Sequence, residues 1–145
     1  MQAEIIKQFD HVAIAVRNTD SALTIYRDIL GGVVTTYKEM GTKDEYLFSQ
    51  FVLGKQKIEL LEPIEDRESF LTRFLERWGE GLHHLTFQVN DIHIARSYFE
   101  SRGLRITDEF FEDPIWKTAF ISPKSTCGVL IQLYETLPGS KYDHA

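Results

Sequence analysis

The stretch Gly81-Leu82-His83-His84-Leu85-Thr86-Phe87-Gln88-Val89 is an imperfect copy of Phe9-Asp10-His11-Val12-Ala13-Ile14-Ala15-Val16. Setting His84 on His11 gives an offset of 73 residues (84 − 11). The same offset places Ile14 on Phe87, Val16 on Val89, Ala22 on Ala95 and Tyr26 on Phe99. Farther along, Ile58-Glu59-Leu60-Leu61-Glu62 falls on Ile131-Gln132-Leu133-Tyr134-Glu135. Each histidine is thus followed by a polar strand residue at one common spacing, His11 by Glu59 and His84 by Gln132. Scattered apolar matches arise by chance, but a repeated histidine, polar partner and helix face together define two copies of one module sharing a site.

Each copy reads β-α-β-β-β. In the first, residues 9–16 alternate as a strand does. Asn18-Thr19-Asp20 supplies helix caps, Ala22, Leu23, Ile25, Tyr26, Ile29 and Leu30 form a helical stripe, and Gly31-Gly32 stops it. Strands are expected at 33–38, 45–53 and 57–62, with turns at Gly41–Asp44 and Gly54-Lys55. The second copy offers a strand at 82–89, a helix at 91–102 and strands at 104–110, 115–121 and 128–135. Between them lies a charged amphipathic helix, 65–79, with Phe70, Leu71, Phe74, Leu75 and Trp78 on one side and no counterpart elsewhere. The expectation is a single α+β domain over 1–145: module one at 8–63, the linker helix, module two at 81–135 and a polar tail at 136–145. Neither four-stranded half can bury both faces alone, so two curved sheets with a cleft are expected.

Composition narrows the function. A length of 145 residues with 43% apolar and 26% charged residues suits one globular domain. The net charge of −6 argues against a nucleic-acid partner, which needs a basic face. Cys127 is the sole cysteine, so no intrachain disulfide forms and a reducing cytoplasm is expected. Residues 1–7 lack the apolar core of a signal peptide and no window approaches the roughly 20 apolar residues of a membrane span, so neither is expected. A small molecule is the expected partner, and a homodimer the expected assembly.

Strand alternation places the chemistry, since residues i and i+2 share a face. His11 goes with Ala13 and Ala15, while Val12, Ile14 and Val16 point to the helix. His84 goes with Thr86 and Gln88, above Leu85, Phe87 and Val89. Glu59 and Gln132 each stand alone between apolar neighbours. Two imidazoles, a carboxylate and an amide oxygen make a mixed set suited to Zn, Co, Ni, Mn or Fe(II). His83 falls on the opposite face and reads as structural or as a supporting donor; His93 and His144 read as solvated.

Paired modules with a symmetric metal set resemble the vicinal oxygen chelate superfamily of glyoxalases, bleomycin-resistance proteins and dioxygenases. The residues carrying the resemblance are Asp10–Val16, Ala22 with Tyr26-Arg27-Asp28-Ile29-Leu30-Gly31, and Ile58–Pro63. Within that group the chain looks most like the methylmalonyl-CoA epimerases, through Gly79–His84, Pro123–Ile131 and Phe70 with Phe74-Leu75. The resemblance implies metal ligands at His11, Glu59, His84 and Gln132, with carboxylate and amide exchanged between copies relative to common epimerases. It implies an enzyme that stabilises an enolate of a chelated carbonyl, acting on an acyl-CoA or other thioester. A glyoxalase I-type lyase, an Fe(II) dioxygenase and a non-catalytic resistance-type binder are the alternatives. The family's proton-transferring glutamate lies in a Glu-x-Gly context before the third strand. Counting back from Leu53-Gly54, that place falls on Lys43, with Asp44 and Glu45 adjacent and no glycine. Glu59, Glu45 and Lys43 are therefore the catalytic candidates, Ser122 stands where relatives often carry histidine, and Lys43, Lys117 and Lys124 are the cations available to a CoA-like substrate.

Overall fold

In the computed structural model, residues 4–112, 116–136 and 138 are described. The fold is α+β, a mixed sheet with three helices among the described residues. In chain order the elements are β1 (Ile6–Ala15), α1 (Thr19–Tyr26), β2 (Val33–Met40), β3 (Tyr46–Leu53), β4 (Gln56–Pro63), α2 (Phe70–Trp78), β5 (Gly81–Val89), α3 (Ile92–Ser101), β6 (Ile106–Phe110), β7 (Trp116–Ile121) and β8 (Ile131–Thr136). The β-α-β-β-β order expected of both copies is present. The expected tail lies almost wholly outside the described residues, as do Ile115 and His144.

Two compact units divide the chain, residues 11–83 in one and 1–10 with 84–145 in the other. In the first copy the strand order is β2-β3-β4-β1, with β1 and β4 parallel and the remaining pairs antiparallel. The second copy repeats this as β6-β7-β8-β5, with β5 and β8 parallel. Each sheet presses one face on its own helix. Val16, Leu23, Phe51 and Leu60 form the buried cluster around α1, and Val89, Ile92, Ala95, Ala119, Ile121 and Leu133 the one around α3. Fully burying each larger side chain contributes roughly 1.5–3 kcal/mol.

The repeat extends to the helix caps. Asn18 Oδ1 accepts from the Ser21 amide, and Asp91 Oδ1 from those of His93 and Ile94. A second acceptor reaches each helix from the fourth strand of its module. Glu62 Oε1 takes the Thr19 amide at 2.6 Å, and Glu135 Oε1 takes the Ile92 amide at 2.8 Å. First-turn amides have no partner within the helix, and a carboxylate there also meets the positive end of the dipole.

Departures from expectation have local causes. The linker helix starts at Phe70 because Ser69 caps it, with Thr72 closing a reciprocal capping box. Its expected apolar side omits Trp78, which is 67% exposed with the Arg77 guanidinium over its ring. The strand expected from 128 starts at Ile131, because residues 123–128 form a turn with Cys127 and Gly128 in left-handed backbone. In the second unit Asp10 is buried and accepts at Oδ1 from Gln88 Nε2 (2.8 Å) and the Tyr134 hydroxyl (2.7 Å), which satisfies a carboxylate inside the sheet.

Candidate metal centre

The parallel register of β1 and β4 aligns Ala13 with Glu59 and His11 with Lys57, so His11 and Glu59 rise from one face. Both are buried, and His11 Nε2 lies 3.5 Å from Glu59 Oε1. Ala13 and Ala15 share the face and are fully buried, leaving no bulk beside the histidine.

The β3–β4 hairpin adds a residue absent from the expected set. Leu53 meets Gln56 across the two-residue turn Gly54-Lys55, and the ladder then brings Gln50 opposite Glu59. Gln50 is buried, and its Nε2 donates to Glu59 Oε2 at 2.8 Å. The turn alone makes this pairing calculable, because a two-residue hairpin fixes the register of every pair behind it.

In the other unit, Thr86 on β5 is aligned with Gln132 on β8. The Thr86 hydroxyl donates to Gln132 Oε1 at 2.9 Å. Phe120, opposite Gln132 on β7, stands edge-on to the buried His84 with ring centroids 5.9 Å apart.

In one unit His11 and Glu59 are buried donors side by side, and in the other His84 is buried at the place that matches His11. Burying an imidazole and a carboxylate 3.5 Å apart costs free energy unless a cation or proton links them. The donor set fits a borderline divalent ion such as zinc, cobalt, nickel, manganese or iron(II).

His83 is not in that group. Its ring packs against Phe74 (4.8 Å) and Phe70 (5.5 Å) of α2. Burial pushes the imidazole down to about 4, against the opposing pull of the Glu59 charge, so His83 is neutral near pH 7. Tyr46 shares the Glu59 face, stacks edge-on with Phe70, and has its phenol pushed up to about 12 by burial and then by the Glu59 charge.

Of the catalytic candidates, Glu59 is in the site, while Lys43 and Glu45 are in the turn before β3. Lys43 and Asp44 are exposed, in a 3-10 turn at Thr42–Asp44 with φ of 57° and 56°. Glu45 ends that turn in helical backbone, so β3 starts one residue later than expected and no ladder holds Glu45. Lys124 is exposed, and Lys117 alternates with Phe120 onto the face away from Gln132. Ser122 is buried, and its Oγ accepts from the Lys124 amide in the turn after β7.

Glu39 is the acid that reaches the Glu59 face. Thr36 pairs with Gln50 and Glu39 with Phe48, so β2 advances three residues while β3 advances two. That shift cancels an earlier one between Val34 and Thr36, and with Lys38 at φ 46° and its amide on Ser49 Oγ it leaves the half-buried Glu39 on the side of Gln50 and Glu59. Glu39-Met40-Gly41 also spells the Glu-x-Gly context expected at Lys43, four positions upstream. The intervening residues are taken up by the 3-10 turn. A Cβ at Gly41 would stand 2.3 Å from the Tyr46 ring, which gives the glycine its physical reason.

Residues 8–133 match the Glyoxalase/Bleomycin resistance protein/Dioxygenase superfamily. The Ethylmalonyl-CoA/methylmalonyl-CoA epimerase of Cereibacter sphaeroides is 33% identical over 89% of this chain and 98% of its own. Protein YqjC of Bacillus subtilis, which is uncharacterised, is 30% identical over 96% of this chain and 99% of its own. The crystal structure of methylmalonyl-CoA epimerase from Mycobacterium tuberculosis superposes with a TM-score of 0.82 at 27% identity, covering 95% of this chain and 93% of that one.

Proposed function

The chain belongs to the glyoxalase/bleomycin resistance/dioxygenase superfamily, the vicinal oxygen chelate enzymes, and we propose that within it this protein is a metal-dependent acyl-CoA epimerase. The observation that carries the reading is the buried pair His11 and Glu59, 3.5 Å apart, with His84 buried at the matching place of the second copy. Gln132 is the fourth ligand in this reading, standing in module two where Glu59 stands in module one. A divalent ion held there supplies a Lewis acid that lowers the pKa of a C–H beside a chelated carbonyl.

The residues of the chain supply the rest. Epimerisation needs one group to take a proton from the substrate carbon and a second to return it on the other side. Glu39 and Glu59 are the carboxylates for those roles. They rise from one sheet face with β3 between their strands, so a substrate carbon lying over β3 has an acid on either side. Ladder hydrogen bonds hold both backbones, which orients a base better than the exposed turn carrying Lys43. Lys57, half-buried beside His11 on the Glu59 face, offers a cation to a substrate carboxylate. Tyr46 and Phe48 give the same face apolar walls.

A non-catalytic binder would gain nothing from burying an imidazole beside a carboxylate, which disfavours that reading. No described helix is long and apolar enough to cross a membrane. A homodimer in the cytoplasm belongs to the same proposal, the compartment supported by the single cysteine. The test is deuterium wash-in at C2 of methylmalonyl-CoA by protein stripped of metal and then reloaded. Exchange that requires the metal supports the reading, and a loaded enzyme that exchanges no 2-substituted malonyl thioester sinks it.

A further inference from the structure

We propose that Gln50 is a positioning residue that holds Glu59 to a single metal-facing oxygen, keeping a coordination place open for the substrate. The inference rests on the metal reading above. Glu59 has two carboxylate oxygens with different surroundings. Oε2 accepts from Gln50 Nε2 at 2.8 Å, whereas Oε1 is the oxygen beside His11 Nε2, at 3.5 Å. Gln50 and Glu59 are both buried, so water does not compete for the bond. Their pairing comes from the hairpin ladder, so the amide is delivered to Oε2 by backbone register rather than by a mobile loop.

Coordination number gives the bond its purpose. A carboxylate with both oxygens available can take two places on a cation, and with one oxygen engaged it takes one. For an ion that accepts about six donors, His11, Glu59, His84 and Gln132 then fill four places and leave two. Two is what a chelating pair of substrate oxygens requires. A two-oxygen Glu59 would leave one place and prevent chelation.

The other copy also holds its fourth-strand polar residue from a neighbouring strand, though there the bond falls on the amide oxygen itself. Gln132 Oε1 accepts from Thr86, which lies on the parallel neighbour β5. The 73-residue offset puts Ala13, with no donor, at the Thr86 position of module one, and there the donor comes from the antiparallel neighbour β3. In module two the antiparallel neighbour of Gln132 is Phe120, which has no donor. Each fourth-strand ligand is therefore held by one neighbour and left apolar by the other.

The test uses the full chain stripped with chelator and loaded with manganese(II) alone, read by calorimetry for occupancy and by water-proton relaxation for exchanging bound waters. Gln50→Met keeps the length and loses the donor. It is expected to bind manganese while the relaxation per bound ion falls about twofold, as the released oxygen displaces one of two waters. Gln50→His, which restores an N–H donor, is expected to return toward the wild-type value, which a merely structural role would not do. If Gln50→Met does not fold, Gln50→Leu is read in the same way. Unchanged relaxation at full occupancy in the donor-less variant overturns this inference and leaves the metal reading standing. Wild type that takes up neither manganese, cobalt nor zinc overturns the metal reading, and this inference with it.

Discussion

Glu39 stands opposite Phe48 across the β2–β3 ladder, beyond two register shifts in β2. The second shift cancels the first, so Glu39 keeps the face that Val33 takes opposite Val52. Bulges re-aim side chains beside active sites, and a non-glycine residue held at positive φ costs of order 1–3 kcal/mol that the surroundings must supply. Lys38, at φ 46°, is that residue.

Glu39→Gln should therefore lower metal-dependent deuterium exchange by about 10²–10⁴-fold, the usual contribution of a positioned acid or base. Metal content should not change. Glu45→Gln and Lys43→Met should stay close to wild type, and a larger loss in either than in Glu39→Gln would return the proton-transfer role to the turn before β3.

The two adjacent histidines should separate cleanly. His84→Ala removes one of two imidazoles and is expected to reduce metal uptake below detection in elemental analysis. His83→Phe fills an aromatic pocket with an apolar ring, and the expected metal content is that of wild type. Loss of metal in His83→Phe with retention in His84→Ala would put the β5 register off by one residue.

His83 also predicts a pH dependence of stability. Its folded pKa, about 4, lies below the ordinary 6.5, because burial disfavours the charged ring. The folded state thus binds fewer protons between those values, so the term is harmless above pH 6.5 and destabilises progressively as pH falls toward 4. The full loss, reached below pH 4, is roughly 3 kcal/mol. Denaturant titrations in chelator should show wild type losing more stability than His83→Phe between pH 7 and 4.5. Parallel curves would contradict the burial of this ring.

Glu62 and Glu135 make a symmetric prediction. Each accepts the first amide of its module's helix, so Glu62→Ala and Glu135→Ala should each cost about 1 kcal/mol in urea unfolding. They act in different units and share no partner, so the double variant should lose about the sum. An effect in only one would mean that the caps are not equivalent.

Much of this protein is decided by the sequence alone. The 73-residue offset identifies the repeat, alternation separates His11, Glu59, His84 and Gln132 from the residues beneath them, and the Gly54-Lys55 turn already implies Gln50 opposite Glu59. These features are legible because an unbroken strand has a period of two, and a short hairpin leaves one register. Other features waited for the tertiary structure. Nothing in Thr36-Tyr37-Lys38-Glu39 marks a bulge: no glycine stands there, and the irregularity is enforced by Ser49 on β3 and by Asp20 on α1, which holds the Tyr37 hydroxyl and the Lys38 ammonium. Counting a motif at fixed distance from Leu53-Gly54 lands on Lys43, whereas Glu39-Met40-Gly41 stands upstream of the 3-10 turn. The burial of His83 likewise depends on where α2 lays Phe70 and Phe74. Periodicity carries face information only as far as the backbone stays regular; past a bulge or an inserted turn, the neighbouring strand or helix decides which way a side chain points.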